Sequence, residues 1–122
     1  MTHPPGTVLV IDDDADIRET LTLMLQLHGY AAVGAADGRE ALDELKRGLR
    51  PCVILLDLMM PRMNGQQFRA QTLLDPELAG IPVVVTSGDA SLQTKAANLG
   101  VSGILRKPFD ADELLDVVRR HC

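Results

Sequence analysis

Five short apolar runs, separated by segments that carry helix signals, constrain this chain more than any other feature. They are Val8-Leu-Val-Ile11, Tyr30-Ala-Ala-Val33, Cys52-Val-Ile-Leu-Leu56, Ile81-Pro-Val-Val-Val85 and Val101 to Leu105. Three of them are continuous rather than alternating, the pattern of strands covered on both faces of a parallel sheet. Between the first two, Ile17, Leu21, Met24, Leu25 and His28 share one helical face, and Gly29 closes the segment as its C′ residue. Asp37 with Glu40, Asn64 with Gln67 and Asp110 with Glu113 read as N-terminal capping pairs ahead of apolar helical positions. The segment from Ala90 to Leu99 is a more polar helix that ends at Gly100.

Strand–helix alternation repeated five times predicts an α/β chain of (βα)5 form with right-handed crossovers between parallel neighbours. The common solution is a flavodoxin-like three-layer sandwich with parallel sheet order 2-1-3-4-5. No linker, low-complexity stretch or internal repeat interrupts the pattern, so residues 1–122 are expected to form a single domain with a core of about 7–120. A ligand crevice is expected at the carboxyl ends of strands 1 and 3, where the strand order reverses.

Composition narrows what such a crevice could serve. The chain is 46% hydrophobic but has one Tyr, two Phe and no Trp, so its core must be aliphatic. Twelve Lys and Arg against seventeen Asp and Glu give a net charge of −5, which argues against nucleic-acid binding and against anionic membranes. Cys52 and Cys122 form no metal or redox motif by spacing, and Cys52 reads as a buried thiol at the start of an apolar run. The start of the chain, with Pro4, Pro5 and Gly6, lacks an apolar signal core, and the apolar runs are too short to span a bilayer. A cytoplasmic protein is the expectation.

The residues that follow each run point to the chemistry. Strand 1 ends in Asp12, Asp13 and Asp14, strand 3 in Asp57, strand 4 in Thr86 and Ser87, and strand 5 just before Lys107-Pro108. Carboxylates gathered in one crevice repel one another unless a cation compensates. An oxygen-only ligand set without His or Cys suits a hard ion, Mg²⁺ before Ca²⁺ or Zn²⁺. A metal, a point charge and a hydroxyl donor together match phosphoryl chemistry, in which a carboxylate is itself a competent nucleophile. Asp57, alone at its strand end, is the better nucleophile, which leaves Asp12 and Asp13 to hold the metal.

Competing motifs fail on inspection. Asp12-x-Asp14-x-Asp16 imitates a calcium loop, but Ile17 occupies its glycine position and Leu23 its twelfth. It also imitates the start of haloacid-dehalogenase-type phosphatases, yet Asp16 stands where Thr or Val is usual. No nucleotide-binding glycine motif occurs, and His3, His28 and His121 lack metal spacing. Plainer readings hold elsewhere: Asp14 and Asp16 as helix caps, His28 as a helix-end residue, and Met59, Met60 and Met63 as loop-covering packing. Thr86 alone is weak evidence, because Thr is common in strands.

Four segments in order resemble the receiver domain of bacterial response regulators over about Thr7 to Arg120. They are Val8-Leu-Val-Ile-Asp-Asp-Asp-Ala-Asp-Ile-Arg18, Leu55-Leu-Asp-Leu-Met-Met-Pro-Arg-Met-Asn-Gly65, Pro82-Val-Val-Val-Thr-Ser-Gly88 and Gly103-Ile-Leu-Arg-Lys-Pro-Phe109. The resemblance implies that Asp57 accepts a phosphoryl group from a phosphohistidine on a sensor histidine kinase or a histidine phosphotransfer protein. It implies that Asp13, Asp57 and the backbone carbonyl of Met59 bind Mg²⁺ directly, with Asp12 acting mostly through water. Thr86 and Lys107 would bind the phosphoryl oxygens, and the Lys107–Pro108 peptide would be cis.

Departures from the family pattern matter too. Ile104 stands in strand 5 where the family often has an aromatic, so a switch by aromatic rotation is not expected. Met59 and Gly88, two residues beyond Asp57 and Thr86, offer no side chain to position a hydrolytic water, which predicts slow dephosphorylation. The resemblance implies output through a downstream protein partner, at a surface around the fourth and fifth helical segments and strand 5, or through a phosphorylation-dependent homodimer. At 122 residues, a receiver of this kind is expected to pass its output through a partner surface, without a DNA-binding or catalytic output domain of its own. The rival class is an Mg²⁺-dependent, phosphatase-like enzyme, disfavoured by the lack of a cap domain.

Overall fold

Continuous apolar runs become the middle of the sheet and the mixed runs its edges. The computed structural model describes residues 6–58, 63–88 and 100–122. Its strands are β1 (Thr7–Ile11), β2 (Ala31–Ala35), β3 (Val53–Asp57), β4 (Val83–Ser87) and β5 (Gly103–Arg106). They pair in parallel in the order β2-β1-β3-β4-β5, as the alternation predicted. Val8–Ile11 and all of β3 and β4 are buried, whereas β2 and β5 at the edges are only partly covered.

Among the described residues the helices are α1 (Ala15–Leu27), α2 (Gly38–Lys46), α3 (Gly65–Leu73), α4 (Pro76–Ala79) and α5 (Ala111–His121). Strand alternation divides the core in two. Leu9, Ile11, Ile54, Leu56, Val83 and Val85 pack with Ala41, Leu42 and Leu45 of α2, Phe68 of α3 and Leu78 of α4. Val8, Val10, Val53, Leu55, Val84 and Leu105 pack with Leu21 and Leu25 of α1 and with Leu114, Leu115 and Val118 of α5. The result is a three-layer sandwich in which Phe68 is the only aromatic among the buried described residues, with Tyr30 and Phe109 packed at the margin.

The expected capping residues start the helices they precede. Asn64 and Gln67 form a reciprocal capping box at α3, and Asp37 and Asp110 each accept a backbone N–H three residues on. Glu40 reaches past Asp37 to the Ala36 N–H instead, so that pair is a cap without the reciprocal bond. Asp14 caps α1 by accepting from Asp16 and Ile17. Gly29 follows that helix with φ 91°, a left-handed conformation that favours glycine. Each such cap contributes about 1 kcal/mol.

The structure corrects the sequence reading in three places. Strands β2 to β5 start one or two residues later than their apolar runs, while β3 and β4 end at Asp57 and Ser87, where the sequence placed their ends. A short helix, α4, adds an element, with Asp75 as its cap and Pro76 in its first turn. Cys52 is not a free thiol: it is disulfide-bonded to Cys122, with a Cα–Cα distance of 5.3 Å. The partners are 70 residues apart in sequence, so proximity comes from topology: the start of β3 and the end of α5 lie at the same end of the sandwich. The expected helix from Ala90 to Leu99, together with Met59, Met60 and His3, lies outside the described residues.

Candidate functional site

Sheet register brings the strand-end residues to one level. Ile11 pairs with Leu56, so Asp12 and Asp57, the next residue of each strand, stand side by side. Asp57 pairs in turn with Thr86, and Thr86 with Leu105, two residues before Lys107. By alternation, Asp57 follows Val53 and Leu55, and Thr86 follows Val84, toward the side covered by α1 and α5. Asp12, Asp57 and Thr86 are almost wholly buried, while Asp13 is exposed.

Asp12, Asp13 and Asp57 each bring a carboxylate oxygen within 4.8 Å of the others. The Lys107 ammonium donates to Asp12 Oδ2 at 2.9 Å and lies 3.6 Å from Asp57 Oδ2. Partial burial alone would lower the pKa of Lys107. The hydrogen bond to Asp12 and the charges of Asp57 and Asp12 outweigh that effect and hold it above its ordinary value. The ammonium therefore stays protonated at neutral pH. Among the described residues the Lys107 ammonium alone cannot balance three carboxylates, and this oxygen-only donor set fits a hard divalent ion such as Mg²⁺.

Backbone contacts fix the geometry. The Lys107 N–H donates to the Ser87 carbonyl at 2.8 Å, which carries β5 pairing up to the site, and the Lys107–Pro108 peptide is cis. Asp12 Oδ1 accepts the Asp14 N–H at 3.0 Å, turning the chain from β1 into α1. At Gly65, a Cβ would come within 2.8 Å of the Leu58 Cα, so only glycine lets α3 approach the residue after Asp57. Beside Lys107, a groove of about 470 Å³ runs between Ile17, Thr20 and Leu21 of α1 and Pro108 and Phe109.

Sequence reasoning missed Arg18. Its Nη1 donates to the Asp12 carbonyl at 2.8 Å, and its stem lies against Gly34 of β2, 3.0 Å from where a Cβ would be. The available signal was a cation on the face of α1 between Ile17 and Leu21, one and a half turns beyond an acidic strand end. Of the remaining expected positions, Ile104 lies on β5 opposite Val85 and is 39% exposed. Gly88 is exposed and borders the Lys107 stem, where a Cβ would make only ordinary contact at 3.8 Å. Met59, whose carbonyl was expected to face the metal, lies outside the described residues.

Known proteins share both this sequence pattern and this fold. The chain is 38% identical over 117 residues to the response regulator MprA of Mycolicibacterium vanbaalenii, which covers 94% of this chain and 49% of that protein. It thus spans about half the length of the curated relatives it matches. The chemotaxis protein CheY4 of Vibrio cholerae superposes with a TM-score of 0.87 at 31% identity, covering 96% of this chain and 98% of that one. A response regulator described as putative, from Chloroflexus aurantiacus, does so with a TM-score of 0.88 at 30% identity, covering 95% and 96%. Residues 8–119 match the family model of the response regulator receiver domain, and the chain belongs to that family.

Proposed function

We propose that the chain is a phosphorylation-driven signalling switch whose acceptor is Asp57. The observation that carries this reading is the setting of Asp57: it ends a central strand, within reach of two further carboxylates, a protonated lysine and a buried threonine. A carboxylate oxygen of Asp57 attacks the phosphorus of a phosphohistidine on a sensor histidine kinase or histidine phosphotransfer protein. The P–N bond breaks, its electron pair returns to the imidazole, which takes up a proton, and an acyl phosphate forms on Asp57. Mg²⁺, held by Asp12, Asp13, Asp57 and the Met59 carbonyl, would screen charge between the carboxylates and the incoming phosphoryl oxygens. Lys107 pairs with one of those oxygens, and the Thr86 hydroxyl donates to another.

Phosphorylation replaces one carboxylate charge by about −1.5 to −2 and adds acceptor oxygens. Thr86 and Lys107 turn toward those acceptors and bias the loops after β4 and β5 toward a second arrangement. Output then passes to a downstream protein partner or a phosphorylation-dependent homodimer rather than to nucleic acid or membrane. No helix among the described residues is long and apolar enough to cross a membrane, which is compatible with a cytoplasmic site of action. Residues 1–122 act as one receiver domain with a core of about 7–120. With Met59 and Gly88 two residues beyond Asp57 and Thr86 in sequence, the acyl phosphate hydrolyses slowly.

On this reading the chain is not a turnover enzyme. Incubation with acetyl phosphate and Mg²⁺ should add one phosphoryl mass to the wild type and none to Asp57→Ala. Steady turnover of phosphate esters by unmodified protein would instead support the phosphatase-like class.

A further inference from the structure

We propose that Cys52 and Cys122 form a reversible redox latch at the end of the sandwich opposite the acidic site. The bond and a neighbouring backbone hydrogen bond together join three elements there. Cys52 precedes β3, and its N–H donates to the Thr7 carbonyl at the start of β1 at 2.9 Å, while Cys122 caps α5. Gly6 makes room for the bond: a Cβ at that position would lie 2.6 Å from Cys52 Sγ and 3.9 Å from Cys122 Sγ.

Two observations favour a latch over a permanent staple. Cys122 is exposed and Cys52 partly buried, so one partner is open to exchange with small thiols and disulfides. Cys52 Sγ also lies 3.4 Å from the Thr7 carbonyl oxygen, an acceptor that a disulfide sulfur cannot use but a thiol S–H can. The reduced state therefore has a hydrogen bond waiting for it. The latch rests on the proposed function in one respect: a phosphoryl acceptor fed by a kinase works in a reducing compartment, where protein disulfides tend to be transient and regulatory.

Closure proceeds by thiol–disulfide exchange with a low-molecular-weight disulfide. The Cys122 thiolate attacks one sulfur of that disulfide and releases one thiolate, leaving a mixed disulfide. The Cys52 thiolate then displaces the second. Two protein thiols are oxidised to one disulfide while the small disulfide is reduced to two thiols, and two protons pass to the departing thiolates. Closure ties the last turn of α5 to the start of β3, and α5 is part of the surface proposed for output.

The test equilibrates the full chain in glutathione buffers of varied reduced-to-oxidised ratio, quenches it with an alkylating agent and counts free thiols by intact mass. The expected result is a passage from two free thiols in reduced glutathione to none in oxidised glutathione. Tm should rise by about 10 °C on oxidation, because the bond closes a long loop. Amide exchange in Val118–Cys122 should slow at least tenfold on oxidation, and neither response should appear in Cys122→Ser. Two thiols that stay free in oxidised glutathione, a disulfide that survives excess reduced glutathione, or an unchanged redox response in Cys122→Ser would each overturn the latch. Phosphoryl labelling of Asp57 is read in the same samples. Its absence in both redox states would count against the proposed function, while the thiol count still decides the latch.

Discussion

The two ends of the parallel sheet are built on different principles. At the carboxyl end, like charges crowd together: Asp12, Asp13 and Asp57 share one small volume, with Lys107 as partial compensation. At the amino end, Thr7, Cys52 and Cys122 are joined by a backbone hydrogen bond and a covalent bond, with glycine at position 6 because no larger residue fits. The first end is poised to change its charge, and the second holds its shape for as long as the disulfide is closed. Five short strands separate them, so the rigid core keeps the reactive end in register without sharing its electrostatic repulsion.

That contrast is open to attack from either side. The largest effect is expected at the acidic end, where Asp13→Ala should weaken Mg²⁺ binding at least tenfold by titration. Asp13 is exposed, so its Tm without metal should stay within a few degrees of the wild type. A large fall in Tm would mean that Asp13 holds the fold rather than an ion. At the other end, Gly6→Ala should destabilise the oxidised protein by about 1–3 kcal/mol in urea, because a Cβ 2.6 Å from Cys52 Sγ forces a shift. On a Cys52→Ala background the penalty should shrink by at least about 0.5 kcal/mol, since the two positions are in contact. Additivity would show that the tight fit at Gly6 does not involve the sulfur.

The smallest effect is a pH dependence. The pKa of Lys107 is raised above the ordinary 10.5, so its ion pairs contribute stability that is fully present below that value. The contribution is lost as pH rises through the higher folded-state pKa. The stability difference between wild type and Lys107→Met, measured without metal, should be flat from pH 7 to 10 and change only above it. A change centred near neutral pH would show that another group controls the site.

Much of this layout was legible in the sequence because burial and polarity change abruptly there. Val53 to Leu56 is fully covered, and its apolar run stops where Asp57 reaches the crevice. Strand order followed from the alternation of elements, and the caps at Asn64 and Asp110 from local hydrogen-bonding chemistry. What escaped notice was of two kinds. Helix α4 is a single turn, too short to show periodicity, although Asp75-Pro76-Glu77 carries a start signal. The Cys52–Cys122 bond and the Arg18 hydrogen bond to Asp12 depend on where segments meet in space, and no local pattern encodes them. Arg18 acts six residues from its acceptor, the disulfide across 70.

One carboxylate among several becomes the acyl phosphate, and its position can be read chemically. Treating the acetyl-phosphate-labelled protein with borohydride reduces an acyl phosphate to an alcohol and marks its position for peptide mapping. The mark is expected at Asp57, dependent on Mg²⁺ and absent without the phosphodonor. A mark at Asp12 or Asp13 instead, or equal labelling of Asp57→Ala, would contradict it.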